Sequence, residues 1–156
     1  GVCDFIIKSH DPEPSFLIGL APEKNFTDGE HAETDAEFDR RVLGTPLSWE
    51  EPHSYFFECG SRGTFFWSES AVEYGAPLKQ FKCFEDGSNE SHVTMEWSKL
   101  PETSATSGSK STRKGQMTLR VGELSSNPVE FEWPEINCGL APHVTLMHPG
   151  DIVSVQ

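Results

Sequence analysis

The sequence predicts an all-β protein, an antiparallel jelly-roll-like sandwich. Two observations carry this. Apolar and polar residues alternate with period two in several short segments, and no stretch shows helical periodicity. Turn-forming residues punctuate those segments, with 13 Gly and 11 Pro in 156 residues. Successive side chains of a strand point to opposite faces, so such alternation marks half-buried antiparallel strands. A parallel α/β fold would need crossover helices, and no segment offers one.

Taken in order, the first strands are expected at Asp4–Lys8 and Ser15–Leu20. The segment Thr27–Arg41, TDGEHAETDAEFDRR, is acidic, lacks alternation and reads as a long loop or a single helical turn. Strands follow at His53–Cys59 and Gly63–Ser68, joined by the hairpin turn Gly60-Ser61-Arg62-Gly63. Another is expected at Leu78–Phe84. HVTMEWSK sets Val93, Met95 and Trp97 against His92, Thr94 and Glu96. Thr103–Lys114, TSATSGSKSTRK, is small and polar and reads as a mobile loop. QMTLRVG sets Met117, Leu119 and Val121 against Thr118 and Arg120, and Gly122–Pro128 is a longer connection. PVEFEW opposes Val129, Phe131 and Trp133 to Glu130 and Glu132, and the last strands are expected at His143–Met147 and Ile152–Val155.

The length suits one domain, 1–156, able to bury a core without a metal or partner. The net charge of -13 argues against nucleic acid and anionic membrane surfaces, and it favours a basic or apolar protein surface as partner. The longest apolar run, Phe16–Ala21, is far too short to span a bilayer. Gly1 is not followed by a basic region and apolar stretch, so a signal peptide is expected to be already absent.

Cys3, Cys59, Cys83 and Cys138 are widely spaced, and none forms a CxxC pair. That spacing favours disulfides in a secreted protein over a zinc knuckle. Three connectivities are open, with Cys3–Cys138 plus Cys59–Cys83 preferred; four reduced, buried thiols are the alternative. The sequons Asn25-Phe26-Thr27 and Asn89-Glu90-Ser91 fit a secretory route.

Little in the chain points to catalysis. Glu130 and Glu132 lie on one strand face roughly 7 Å apart, alternating with core residues as a solvated face requires. A glycosidase places its two carboxylates on opposite sides of a cleft. No G-x-S-x-G elbow or phosphate-binding glycine loop occurs. His143 and His148 lack the spacing and the glutamate of HExxH. Asp28, Glu30, Glu33, Asp35, Glu37 and Asp39 lack the order of a calcium loop. No catalytic residue, metal site or cofactor is therefore assigned.

The least expected feature is aromatic. SYFFECGSRGTFFW places Tyr55, Phe56, Phe57, Phe65, Phe66 and Trp67 on one hairpin that is apolar on both faces. Such a hairpin is covered on both sides, the acidic segment being one candidate cover, or it offers an apolar patch to a partner. Phe56, Phe66 and Trp67 are the candidate partner-binding residues, and Trp67 also has the chemistry to stack on a sugar ring.

DFIIKSHDPEPSFLIGL, SYFFECG and the late run MEWSK…GQMTLRVGE…PVEFEW…PHVTLM together resemble the galectin-like β-sandwich module, also labelled farnesoic-acid-O-methyltransferase-like. The resemblance covers most of the chain outside the acidic and Ser-rich segments. It implies a galectin-like sandwich. In the disulfide-bonded adhesins that apicomplexan parasites secrete from micronemes, such a module would dock a partner adhesin. The galactoside motif H-x-N-P-R is absent, since Asn127-Pro128 is followed by Val129. Nor is there the Gly-rich turn that a nucleotide-type methyl donor would need. The expected function is thus non-enzymatic recognition of a protein partner in a secreted or adhesive assembly, with carbohydrate binding as the alternative.

Overall fold

In the computed structural model, residues 1–22, 55–60, 63–68, 71–73, 82–102, 113–135 and 139–156 are described. Eleven strands run through them: β1 (Val2–Lys8), β2 (Phe16–Pro22), β3 (Tyr55–Gly60), β4 (Gly63–Ser68), β5 (Ala71–Glu73), β6 (Glu90–Lys99), β7 (Lys114–Val121), β8 (Leu124–Ser125), β9 (Val129–Glu132), β10 (Leu140–Leu146) and β11 (Ile152–Val155). They form two antiparallel sheets, and no helix occurs among the described residues. The expected all-β sandwich is observed.

The first sheet has the order β11-β1-β6-β7-β8, with β9 also paired to β7. Its three alternating segments behave as a half-buried sheet must. Phe5 and Ile7, Val93 and Met95, Met117 and Leu119, and Val129 and Phe131 all enter the core. The opposite positions carry cross-strand polar pairs: Lys8 Nζ–Glu90 Oε2 at 2.9 Å, Arg120–Glu96 at 3.8 Å and Lys114 Nζ–Glu130 Oε2 at 3.0 Å. Glu130 and Glu132 therefore belong to the wet face. Gly115 is required opposite Phe131, because a Cβ there would meet the Phe131 ring and, 2.7 Å away, that of Trp133.

The second sheet has the order β10-β2-β3-β4-β5. Phe16, Ile18 and Leu20 from β2, Tyr55, Phe57 and Cys59 from β3, and Phe66 from β4 face the first sheet. Tyr55 meets Phe131 of β9 with ring centroids 4.4 Å apart, which joins the layers. Burying one such aromatic side chain contributes about 2–3 kcal/mol, so this inner layer dominates stability. The opposite face is also covered, since Leu17, Ala21, Phe56 and His143 are buried. At Gly19 a Cβ would collide with Tyr55 and Phe56 across the β2–β3 pairing, so only glycine fits there.

Several boundaries differ from expectation. Residues 82–84 are irregular, with a bend at 83–84, rather than the end of a strand, and residues 78–81 lie outside the described residues. A strand that was not expected, β5, pairs with β4 through three residues. β8 is a two-residue strand inside the connection 122–128, too short to leave a period. β10 starts at Leu140, three residues before the expected His143, and carries Pro142 on the edge of its sheet, where a missing N–H is tolerated. The acidic segment 27–41, Ser-rich residues 103–112, Trp49, Asn25 and Cys138 lie outside the described residues.

Candidate functional site

The hairpin aromatics do not make one surface. Phe66 is 1% exposed and points inward against Phe57, ring centroids 5.4 Å apart. Phe56 and Trp67 are register partners on the opposite face, where their rings stack at 6.4 Å and an interplanar angle of 10°. Phe56 is itself only 3% exposed. Alternation along β4 separates Phe66 from Trp67, so the expected three-residue patch is corrected: Phe66 is core, and Phe56 is covered. Of the three, only Trp67 keeps partial exposure, and its indole Nε1–H has no hydrogen-bond partner among the described residues.

The cysteines also differ from expectation. Cys3, Cys59 and Cys83 are thiols, with no disulfide among the described residues. Cys3 is partly exposed on β1. Cys59 and Cys83 share the core. Burial pushes the Cys59 thiol well above its ordinary range, and the adjacent Cys83 thiol pushes the same way. The Thr64 hydroxyl lies 3.7 Å from Cys83 Sγ, and the Ser91 hydroxyl donates to the Cys83 carbonyl.

The histidines are separated in role. His143 is buried on the covered face of β10, where burial lowers its pKa from the ordinary 6.5 to about 4. His148 lies in the β10–β11 connection, with Nδ1 3.5 Å from Asp151 Oδ2 and Nε2 3.8 Å from Asp11 Oδ1. No group of three metal-ligating side chains occurs among the described residues.

His148 does line a cleft, at the end of the sandwich where β1–β2, β3–β4 and β10–β11 connect. Its walls include Asp11, Glu13, Ser15, Glu58, Phe65 and His148, and it encloses about 360 Å³. The turn that shapes it is local: the Glu13 N–H donates to Asp11 Oδ1 at 2.9 Å, an Asx-type bend ahead of Pro14. A second cavity of about 300 Å³ shares Asp11 and Gly60 and is walled by Glu85 and by Asp86, which pairs with Lys82 at 3.2 Å. No lysine or arginine among the described residues pairs with Asp11, Glu13 or Glu58.

Chemically, this arrangement suits a cation better than a reaction. Ser15 lines the cleft, but no hydrogen bond joins it to His148, so no activated hydroxyl is assembled. Three carboxylates along one concave wall favour a guanidinium or ammonium group. Sequence reasoning missed the cleft because Asp11 and His148, from two connections, and Glu58, from β3, are distant in sequence and share no motif. The only signal was local, in HDPEP, whose Asp and Pro residues announce a turn.

A shallower polar groove lies over the first sheet, lined by Val2, Glu96, Trp97, Ser98, Gln116 and Thr118. Gln116 donates to Ser98 Oγ there at 3.2 Å.

A scan against protein-family models, a search of curated proteins and a search of solved structures each find no match.

Proposed function

We propose that this chain is a non-enzymatic recognition module that docks a protein partner in a secreted or adhesive complex, its acidic cleft receiving a Lys or Arg side chain of that partner. The observation that carries this reading is the cleft at Asp11, Glu13 and Glu58, whose carboxylates have no Lys or Arg partner among the described residues. The chain's charge of -13 acts in the same direction, drawing a basic surface inward before contact. A secretory setting draws support from an exposed Asn89 in its sequon. The resemblance to galectin-like adhesive modules points the same way.

The test is fluorescence anisotropy with extended lysine-containing peptides, against acidic peptides of equal length. Selective binding that weakens from 50 to 300 mM salt and is lost in a Glu13→Gln/Glu58→Gln variant supports the reading. Equal binding of both peptide classes contradicts it.

The second reading is carbohydrate binding in the groove of the first sheet. It draws on one observation: partly exposed Trp97, packed against the core on the inner face, also lines the shallow polar groove of Ser98, Gln116 and Thr118. A glycan-array screen with a Trp97→Ala comparison decides it.

A further inference from the structure

The first sheet ends on β11, which has no strand on its outer side among the described residues. β11 pairs antiparallel with β1 in the register Phe5↔Val155, Ile6↔Ser154, Ile7↔Val153 and Lys8↔Ile152. Beyond it, the Gln156 N–H donates to the Asp4 carbonyl at 3.0 Å. Asp4 and Gln156 are opposite one another, so theirs is a hydrogen-bonded pair. Such pairs alternate along an antiparallel ladder. Ser154 and Ile152 therefore also turn their N–H and C=O toward β1, whereas Val153 and Val155 turn theirs outward.

Sheet proteins ordinarily blunt such an edge with charge, proline or a bulge. This one carries none of these: its sequence is Ile-Val-Ser-Val, with Ile152 56% and Val155 65% exposed. Val2, near the other end of β1, is 62% exposed. Two residues' worth of backbone donors and acceptors thus lie beside apolar side chains.

We propose that β11 is a strand-addition site, and that its occupant is an extended basic segment of the partner protein. The proposal rests on the recognition reading above and adds to it the mode of contact. Charge complementarity selects the occupant. A second copy of this chain would bring its own -13 to the same edge, whereas a basic strand is drawn to it. The edge also leads into the cleft. Ile152 directly follows Asp151, whose carboxylate holds the His148 backbone N–H at 3.3 Å, and His148 lines the cleft with Asp11 and Glu58. A strand hydrogen-bonded to Val153 and Val155 would reach the carboxylates with a side chain at its Ile152 end. In this mode the main chain supplies affinity and alternate side chains supply specificity.

The probe is a seven-residue peptide of alternating lysine and valine, titrated by fluorescence anisotropy at 100 mM salt. Its twin carries N-methyl groups on alternate amides, with the same charge and nearly the same side-chain surface. Two such twins cover both alignments. The expected result is binding at least tenfold weaker for one twin. Val155→Pro removes only an outward N–H, so it should leave the melting temperature nearly unchanged and weaken the parent peptide as much. Ser154→Pro, which removes a bond to β1, should lower the melting temperature instead. Equal affinity of the parent peptide and both twins overturns strand addition, whatever the cleft does. Tenfold discrimination between the twins together with unchanged affinity in Glu13→Gln/Glu58→Gln retains strand addition and overturns the cleft reading. A Val155-dependent dimer of the protein alone, in sedimentation, overturns the choice of occupant.

Discussion

His148 Nε2 lies 3.8 Å from Asp11 Oδ1, bringing the β10–β11 connection against the β1–β2 connection across 137 residues of sequence (148 - 11). Neither side chain is fully buried, so the pair is worth little to stability. Its consequence is positional: it closes one side of a cleft whose walls also carry the Glu13 and Glu58 carboxylates.

Neutralising those walls should separate binding from folding. Asp11→Asn, Glu13→Gln and Glu58→Gln are each expected to shift stability by less than about 1 kcal/mol. Together they should weaken a lysine-containing peptide about tenfold or more and flatten its salt dependence. Denaturant melts and anisotropy titrations of the same samples check this.

Phe66 and Glu130 should behave oppositely on truncation. Phe66→Ala empties an inner-layer site against Phe57 and should cost about 3–5 kcal/mol, near the total stability of many domains. Glu130→Gln removes a surface pair with Lys114 and should stay within about 0.5 kcal/mol. Urea midpoints at constant slope give both values.

Acid should destabilise the fold through His143. Its folded pKa of about 4 lies below the ordinary 6.5, so the unfolded chain binds a proton that the folded chain refuses. Stability contributed by the neutral ring is complete above pH 6.5 and is lost as the pH falls from 6.5 toward 4. The loss amounts to about 3 kcal/mol, at 1.36 kcal/mol per pK unit. Stability curves of the wild type and His143→Gln between pH 4 and 8 should diverge in slope over that window.

The thiols should react in a defined order. In the native state Cys3 should be alkylated first, while Cys59 and Cys83 stay protected by burial and a raised Cys59 pKa. Refolding in a glutathione redox buffer, which exposes both thiols, should join Cys59 to Cys83, with a gain in stability of about 3 kcal/mol. Peptide mapping by mass spectrometry after alkylation reads both steps. Separate alkylation of Cys59 and Cys83 after oxidation would show that they do not bridge.

The first sheet was the most legible part of the sequence, for a physical reason. Its outer face is wet, so Val93, Met95, Leu119, Val129 and Phe131 alternate visibly with charged partners. The second sheet is covered on both faces, so β3 and β4 carry aromatics at consecutive positions, and periodicity cannot say which side faces in. That is why Phe66 was grouped with Phe56 and Trp67. β5 and β8 pair through three and two residues, too few to show a period. The cleft escaped for another reason. A binding surface made of connections depends on how the sheets bring loops together, and no spacing between Asp11, Glu58 and His148 encodes that.

The most direct measurement is a two-dimensional amide NMR titration of the protein with a lysine-containing peptide. Shifts concentrated at Asp11, Glu13, Glu58 and His148, saturating with one peptide per chain, are expected. Shifts confined to Glu96, Ser98, Gln116 and Thr118, or spread weakly over every acidic residue, would contradict docking at the cleft.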